Sequence, residues 1–270
     1  MFKLRSLSLD AKKTVKGNFK SSSTAEREFH RQLKKVARVS GHIIESHTDG
    51  VKISNESNMQ KALEDYAKLI TPWAKRQSAK MLDKVQASNK RAYKQQSKAL
   101  GLEIHHQLEK TNNLHKEVQI AKDLHTEQVA LITSIPIEAG LRAQKLAREA
   151  VLHGTRATPD QAVIDEIKKQ LGLSTEVATN RAKLIARTET AKANAVFNQA
   201  RAMSVGSNQY RWHNSGDGNV RHSHRIYKGK RLQGMIFSWD NPPTLDDGMT
   251  GHPGEFPNCR CFAEPILEKE

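Results

Sequence analysis

From Thr24 to Met203 the chain repeats one signal: apolar residues three or four positions apart, separated by charged ones. A strand would need a period of two, so this stretch reads as helices. Phe29, Leu33, Val36 and Ile43 mark one face, and the segment breaks at Ser46–Gly50. Met59, Leu63, Tyr66, Ile70 and Trp73 mark the next, with Pro72 inside the pattern predicting a kink or a new start. The run that follows, to Leu100, is very basic and weakly apolar, as expected of a long helix exposed over most of its surface. Breaks are predicted at Leu100–Gly101 and at Thr111-Asn112-Asn113, and Pro136 is expected to interrupt the helix that begins near Leu114. Thr158, Pro159 and Gln161 form a helix start and Gly172 a stop. Ser174 can cap a final, alanine-rich helix.

After Val205 the texture changes. Gly, Asn, Asp, Pro and His become frequent, and Trp212, Tyr227, Phe237, Trp239 and Phe256 appear among short apolar runs. Residues 206–270 read as short strands and ordered loops. The expected class is α+β: an elongated, mostly helical N-terminal part followed by a small C-terminal domain. The 37% hydrophobic and 5% aromatic content argues against a thick β-sandwich core. The chain divides into an arm (1–22), a helical partner-interaction region (23–155), helices leading into the last domain (156–205) and the small β/loop domain (206–270).

The formal charge is +15. Such a balance points either to polyanion contact or to lysine-rich, solvated helix faces. Residues 1–22 carry Lys3, Arg5, Lys12, Lys13, Lys16 and Lys20 against the single acid Asp10. They read as a flexible or partner-ordered arm that either touches nucleic acid or is a solvated tail. No stretch of 18 apolar residues suggests a membrane span, and the first residues lack a secretory pattern, so synthesis in the cytoplasm is expected.

The two cysteines of the chain, Cys259 and Cys261, sit two apart near the C-terminus. In an extended strand they would point to one face, and so would His222 and His224. With His252 they supply the nitrogen and sulphur donors that zinc takes in a tetrahedron. The expected set is His224, His252, Cys259 and Cys261, with His222 as a substitute for His224. Four protein ligands would make the site structural. The alternative is that the cysteines are small buried strand residues and the histidines make hydrogen bonds.

The order of Arg187-Thr188-Glu189, Trp212, Asp217, Arg221, His224, His252-Pro253 and Asn258-Cys259-Arg260-Cys261 resembles the phage head morphogenesis family, minor head proteins like the Mu F protein. The resemblance spans roughly residues 130–265. It implies a virion protein made with the procapsid, located inside the head near the portal and in the host cytoplasm during assembly. Its implied partners are the portal, scaffold or capsid proteins, and double-stranded DNA held non-specifically. The recurrence of the His and Cys positions in the family pattern adds weight to a structural zinc. Arg187 and Glu189 are expected to be structural, one or both reaching across to hydrogen-bond the backbone of the aromatic C-terminal segment, with a catalytic Arg–Glu pair as the alternative. Asp217 and Arg221 are placed with them.

Two functional classes follow. One is a structural and interaction protein that turns over no substrate. The other is an enzyme, a C-terminal nuclease or transferase, in which His213, His222 and His224 with Asp217 would supply acid and base. The paired acids Asp246 and Asp247 read as a solvated loop.

Overall fold

The structure, a computed structural model, describes residues 17–49, 52–102, 114–155, 161–172 and 174–267. Lys3, Arg5, Lys12, Lys13 and Lys16, the break at Thr111-Asn112-Asn113 and the helix start at Thr158-Pro159 lie outside the described residues. The helices are α1 (Ser23–Ser46), α2 (Glu56–Leu100), α3 (Leu114–Gly154), α4 (Gln161–Gly172) and α5 (Ser174–Ser204). A hairpin of β1 (Thr48–Asp49) and β2 (Lys52–Ile53) separates α1 from α2. The C-terminal part holds β3 (Gln209–His213), β4 (Ile226–Tyr227), β5 (Lys230–Arg231), β6 (Ile236–Ser238) and β7 (Phe262–Pro265), with a 3₁₀ turn at His222–His224.

Caps set the helix ends that the sequence announces. The Ser22 hydroxyl accepts the Ala25 N–H at 3.3 Å, and the Asn55 side chain accepts that of Asn58 at 2.9 Å. Gly101, at φ 64°, closes α2 in the left-handed conformation that only glycine adopts without strain. Pro72 starts no new helix, and Pro136, against expectation, does not interrupt its helix. α2 passes Pro72 and α3 passes Pro136 without a break. Each proline removes one backbone hydrogen bond, but apolar residues on both sides of it are held in one core. Met59, Leu63 and Ile70 precede Pro72, and Ala74 and Met81 follow it; Ile132 and Ile135 precede Pro136, and Ala139 and Ala143 follow it. Packing on both flanks outweighs the loss of one bond.

The basic half of α2 is not mostly exposed, which corrects the expectation. One side of it is buried, built from Ala74, Ser78, Met81, Leu82, Val85, Asn89, Ala92, Tyr93, Gln96 and Ser97. Small and polar side chains make up much of this face, which thins its hydrophobic signal. Its polar groups bond across helices: Ser78 Oγ to Gln128 at 2.7 Å, Arg201 to Asn89 Oδ1 at 2.8 Å, and Tyr93 OH to the Asn198 carbonyl at 2.8 Å.

Strand β3 is the centre of a three-stranded antiparallel sheet, between β6 and β7. Its burial alternates, with Tyr210 and Trp212 inward and Gln209 and Arg211 outward. The aromatic core beneath it includes Trp239, Leu245 and Phe256, and also takes in Phe19, Ala92, Tyr93 and Ala202 from the other half. α5 grips the sheet through Asn198, whose amide donates to the Ala263 carbonyl at 2.8 Å. The last residues of the supposed arm are docked here. Gly17 N–H donates to Gln96 at 2.6 Å, Asn194 donates to the Phe19 carbonyl at 3.0 Å, and Phe19 meets the Tyr93 ring edge-on. Residues 17–22 are therefore a strap, held between α2, α5 and the C-terminal sheet.

Candidate metal centre

The chain leaves β3 at His213, turns, and enters the 3₁₀ turn at His222. Successive side chains in a 3₁₀ helix are about 120° apart, so residues two apart diverge. This corrects the strand reading: His222 is exposed while His224 is buried. The His224 ring lies edge-on to Phe256 at 4.8 Å and to Trp212 at 5.9 Å.

Cys259 and Cys261 arrive just before β7, both buried. Asn258 turns the chain at φ 58°, a left-handed conformation that asparagine tolerates. His224 Nδ1 lies 3.4 Å from Cys259 Sγ and 3.6 Å from Cys261 Sγ. All three ligand atoms are within 4.8 Å of one another. A zinc ion holding sulphur at about 2.3 Å and nitrogen at about 2.0 Å in a tetrahedron sets nitrogen and sulphur about 3.5 Å apart. The donor spacing fits that ion. The thiols also divide one proton unevenly. Hydrogen bonding from Cys261, then from His224, outweighs burial and holds Cys259 down at about 5, whereas the same contact and burial push Cys261 up.

His252 is not part of this group. Its ring nitrogens lie 3.1 Å from the Tyr210 hydroxyl and 3.3 Å from the Gln199 amide, and burial lowers its pKa. The structure thus assembles three of the four expected ligands. The fourth side of the group borders a cavity of about 80 Å³, lined by Ser215, Asp217, Asn219 and Arg221 among others.

Polar contacts clasp the group from outside. Arg260 pairs with Asp217 at 2.6 Å, and Arg221 donates to the Pro257 carbonyl at 2.6 Å. From α5, Arg187 donates to Asn258 Oδ1 at 2.8 Å and also meets Glu26 at 3.4 Å. The Asn258 N–H donates to the Thr188 hydroxyl at 2.9 Å. So Arg187 does reach the C-terminal segment, but it meets a side chain, and Thr188 is the residue that satisfies backbone. Glu189 points elsewhere, into the helices. It is buried beside Glu127 and Gln128, and burial raises its pKa to about 7, with Glu127 adding to the rise and Lys192 opposing it.

The remaining candidates are dispersed. His213 meets Glu264 at 2.6 Å and Gln233 at 2.8 Å, and stacks on Phe262. Of His213, His222, His224 and Asp217, only His224 and Asp217 line the cavity. Asp246 accepts the Lys228 N–H and Asp247 accepts the Ser223 hydroxyl, so these acids pin a loop. Lys20 lies over the Phe262 ring at 5.9 Å. The sequence reading missed Thr188 and Phe19. Thr188 stood inside the Arg-Thr-Glu motif; Phe19 was the lone aromatic in the polar run that follows Asp10.

Residues 137–264 match a family model described as phage Mu protein F like protein. An uncharacterized protein of Haemophilus influenzae (strain Rd) is 33% identical over 168 residues, covering 62% of this chain and 33% of the relative. The chain thus spans about a third of the length of the curated relative it matches. No solved structure matches the chain.

Proposed function

We propose, from the match of residues 137–264 to the phage Mu protein F like family, that the chain is a structural protein of a phage head. The carrying observation is the clasp. Within the family segment, Arg187, Thr188, Asp217, Arg221, Asn258 and Arg260 are spent on tying α5, the turn after β3 and the Cys loop together. Such an arrangement builds a stiff module that presents surface. Among the described residues no helix is long and apolar enough to cross a membrane.

In this reading the module is stapled by zinc held on His224, Cys259 and Cys261, with the fourth position facing the adjoining cavity in place of His252. The ion supplies a cross-link between two irregular segments, which a small loop-rich domain needs more than a large one. The helical part docks on portal, scaffold or capsid proteins, and Lys3, Arg5, Lys12, Lys13, Lys16 and Lys20 of the N-terminal segment face packaged DNA. The protein assembles in the host cytoplasm and ends in the head interior near the portal.

The test is head assembly with the tagged full chain, followed by quantitative mass spectrometry of purified heads. The proposal predicts a fixed low copy number that co-purifies with portal protein. Absence from heads would overturn it. So would cleavage of DNA or RNA by the pure protein with divalent metal, lost in His224→Ala.

A further inference from the structure

The exposed side of α2 carries a pattern that the C-terminal module does not explain. Between Arg76 and Lys98 the chain has one acid, Asp83. Arg76, Lys80, Lys90, Arg91, Lys94 and Lys98 are all exposed. At 3.6 residues per turn these six fall within about a third of the helix circumference. Lys84 lies on the same arc, partnered by Glu28 of α1. The opposite side is the buried one, with Ala74, Met81, Val85, Asn89 and Ala92. The cations therefore form a straight ridge that the fold holds outward.

We infer that this ridge is a track for the phosphate backbone of double-stranded DNA. From Arg76 to Lys98 it runs about 33 Å, close to one turn of the B-form duplex at about 34 Å. The exposed residues between the cations are Ala79, Asp83, Ala87 and Gln95, so a single acid interrupts the ridge. They offer no aromatic or large apolar anchor, which a protein partner would need for a hot spot. Nor does the ridge carry the Asn or paired Gln groups that read base edges, so the contact is sequence-independent and works by counterion release. The inference rests on the head-protein reading only for its setting, beside packaged DNA. The contact itself stands on the charge pattern.

The experiment measures binding of the full chain to a random-sequence duplex across a salt series. Three full-length variants each lose four cations. The ridge variant is Arg76→Gln, Lys80→Gln, Arg91→Gln and Lys98→Gln. The arm variant is Lys3→Gln, Arg5→Gln, Lys12→Gln and Lys13→Gln. The control is Arg142→Gln, Lys145→Gln, Lys168→Gln and Lys169→Gln on α3 and α4. Circular dichroism confirms that each is folded. The ridge variant should lower the slope of log affinity against log salt by about 0.9 per lost contact, or about 3.6 in all. The control should leave the slope nearly unchanged. An equal loss in ridge variant and control would overturn the inference, since net charge alone would then act. A loss confined to the arm variant would overturn the ridge and keep the DNA reading. No binding by the unsubstituted chain would remove both, while leaving head incorporation as a separate result.

Discussion

At the residue scale, Glu189 is a buried carboxyl whose burial is incompletely compensated. Its side chain is buried between helices and Oε2 has no hydrogen-bond partner among the described residues. Burial, with Glu127 nearby, raises its pKa to about 7 in the fold. In the unfolded chain a glutamate titrates near 4.3. The folded state therefore binds the extra proton between these values, and stability from this group is whole below pH ~4.3 and lost as pH rises to about 7. The window corresponds to about 3–4 kcal/mol at most. Glu189→Gln should flatten the pH dependence of denaturant stability in that range and leave the variant more stable at pH 8. An unchanged pH slope would show that Glu189 ionises freely in the fold. The motif drew notice to Glu189, yet periodicity could not say which neighbour it faces. Thr188 and Glu189 are adjacent in sequence but, about 100° apart on α5, serve different neighbours.

At the element scale, the strap shows how local sequence misleads. Residues 17–22 look like the end of a polar tail, but Phe19 is 1% exposed and joins the aromatic core of the C-terminal sheet. Truncating a fully buried phenylalanine costs about 3–5 kcal/mol. Phe19→Ala should lower global stability by that amount and reduce the near-ultraviolet signal of the C-terminal tryptophans. A loss below about 1 kcal/mol would mean that the strap is not part of the fold. The helices themselves were legible because period and caps are local signals. Three things were not. The prolines inside α2 and α3 are carried by packing on both flanks, which lies far away in sequence. The buried side of the basic half of α2 mixes Met81, Leu82 and Tyr93 with Ser78, Asn89 and Gln96, whose polar partners come from α3, α5 and the strap. The turn at His222–His224 reads as a strand by alternation, but its 3₁₀ geometry separates the two histidines.

At the scale of the whole molecule, the helical half and the C-terminal module share their cores through Phe19, Ala92, Tyr93 and Ala202. The module therefore sits on a long, charged lever and does not hang from a linker. Residue types had picked out both cysteines and His224, because thiols two apart with a nearby imidazole are a chemical signal. They could not reveal that His252 is taken by Tyr210 and Gln199, which is a matter of tertiary placement. The account rests on the staple of His224, Cys259 and Cys261. Elemental mass spectrometry of the purified full chain beside Cys259→Ser tests it most directly. The account predicts about one zinc per chain, lost in the variant, with chelation collapsing the tryptophan signal while helical content persists. A well-folded chain without metal, or one whose zinc survives the substitution, would contradict it.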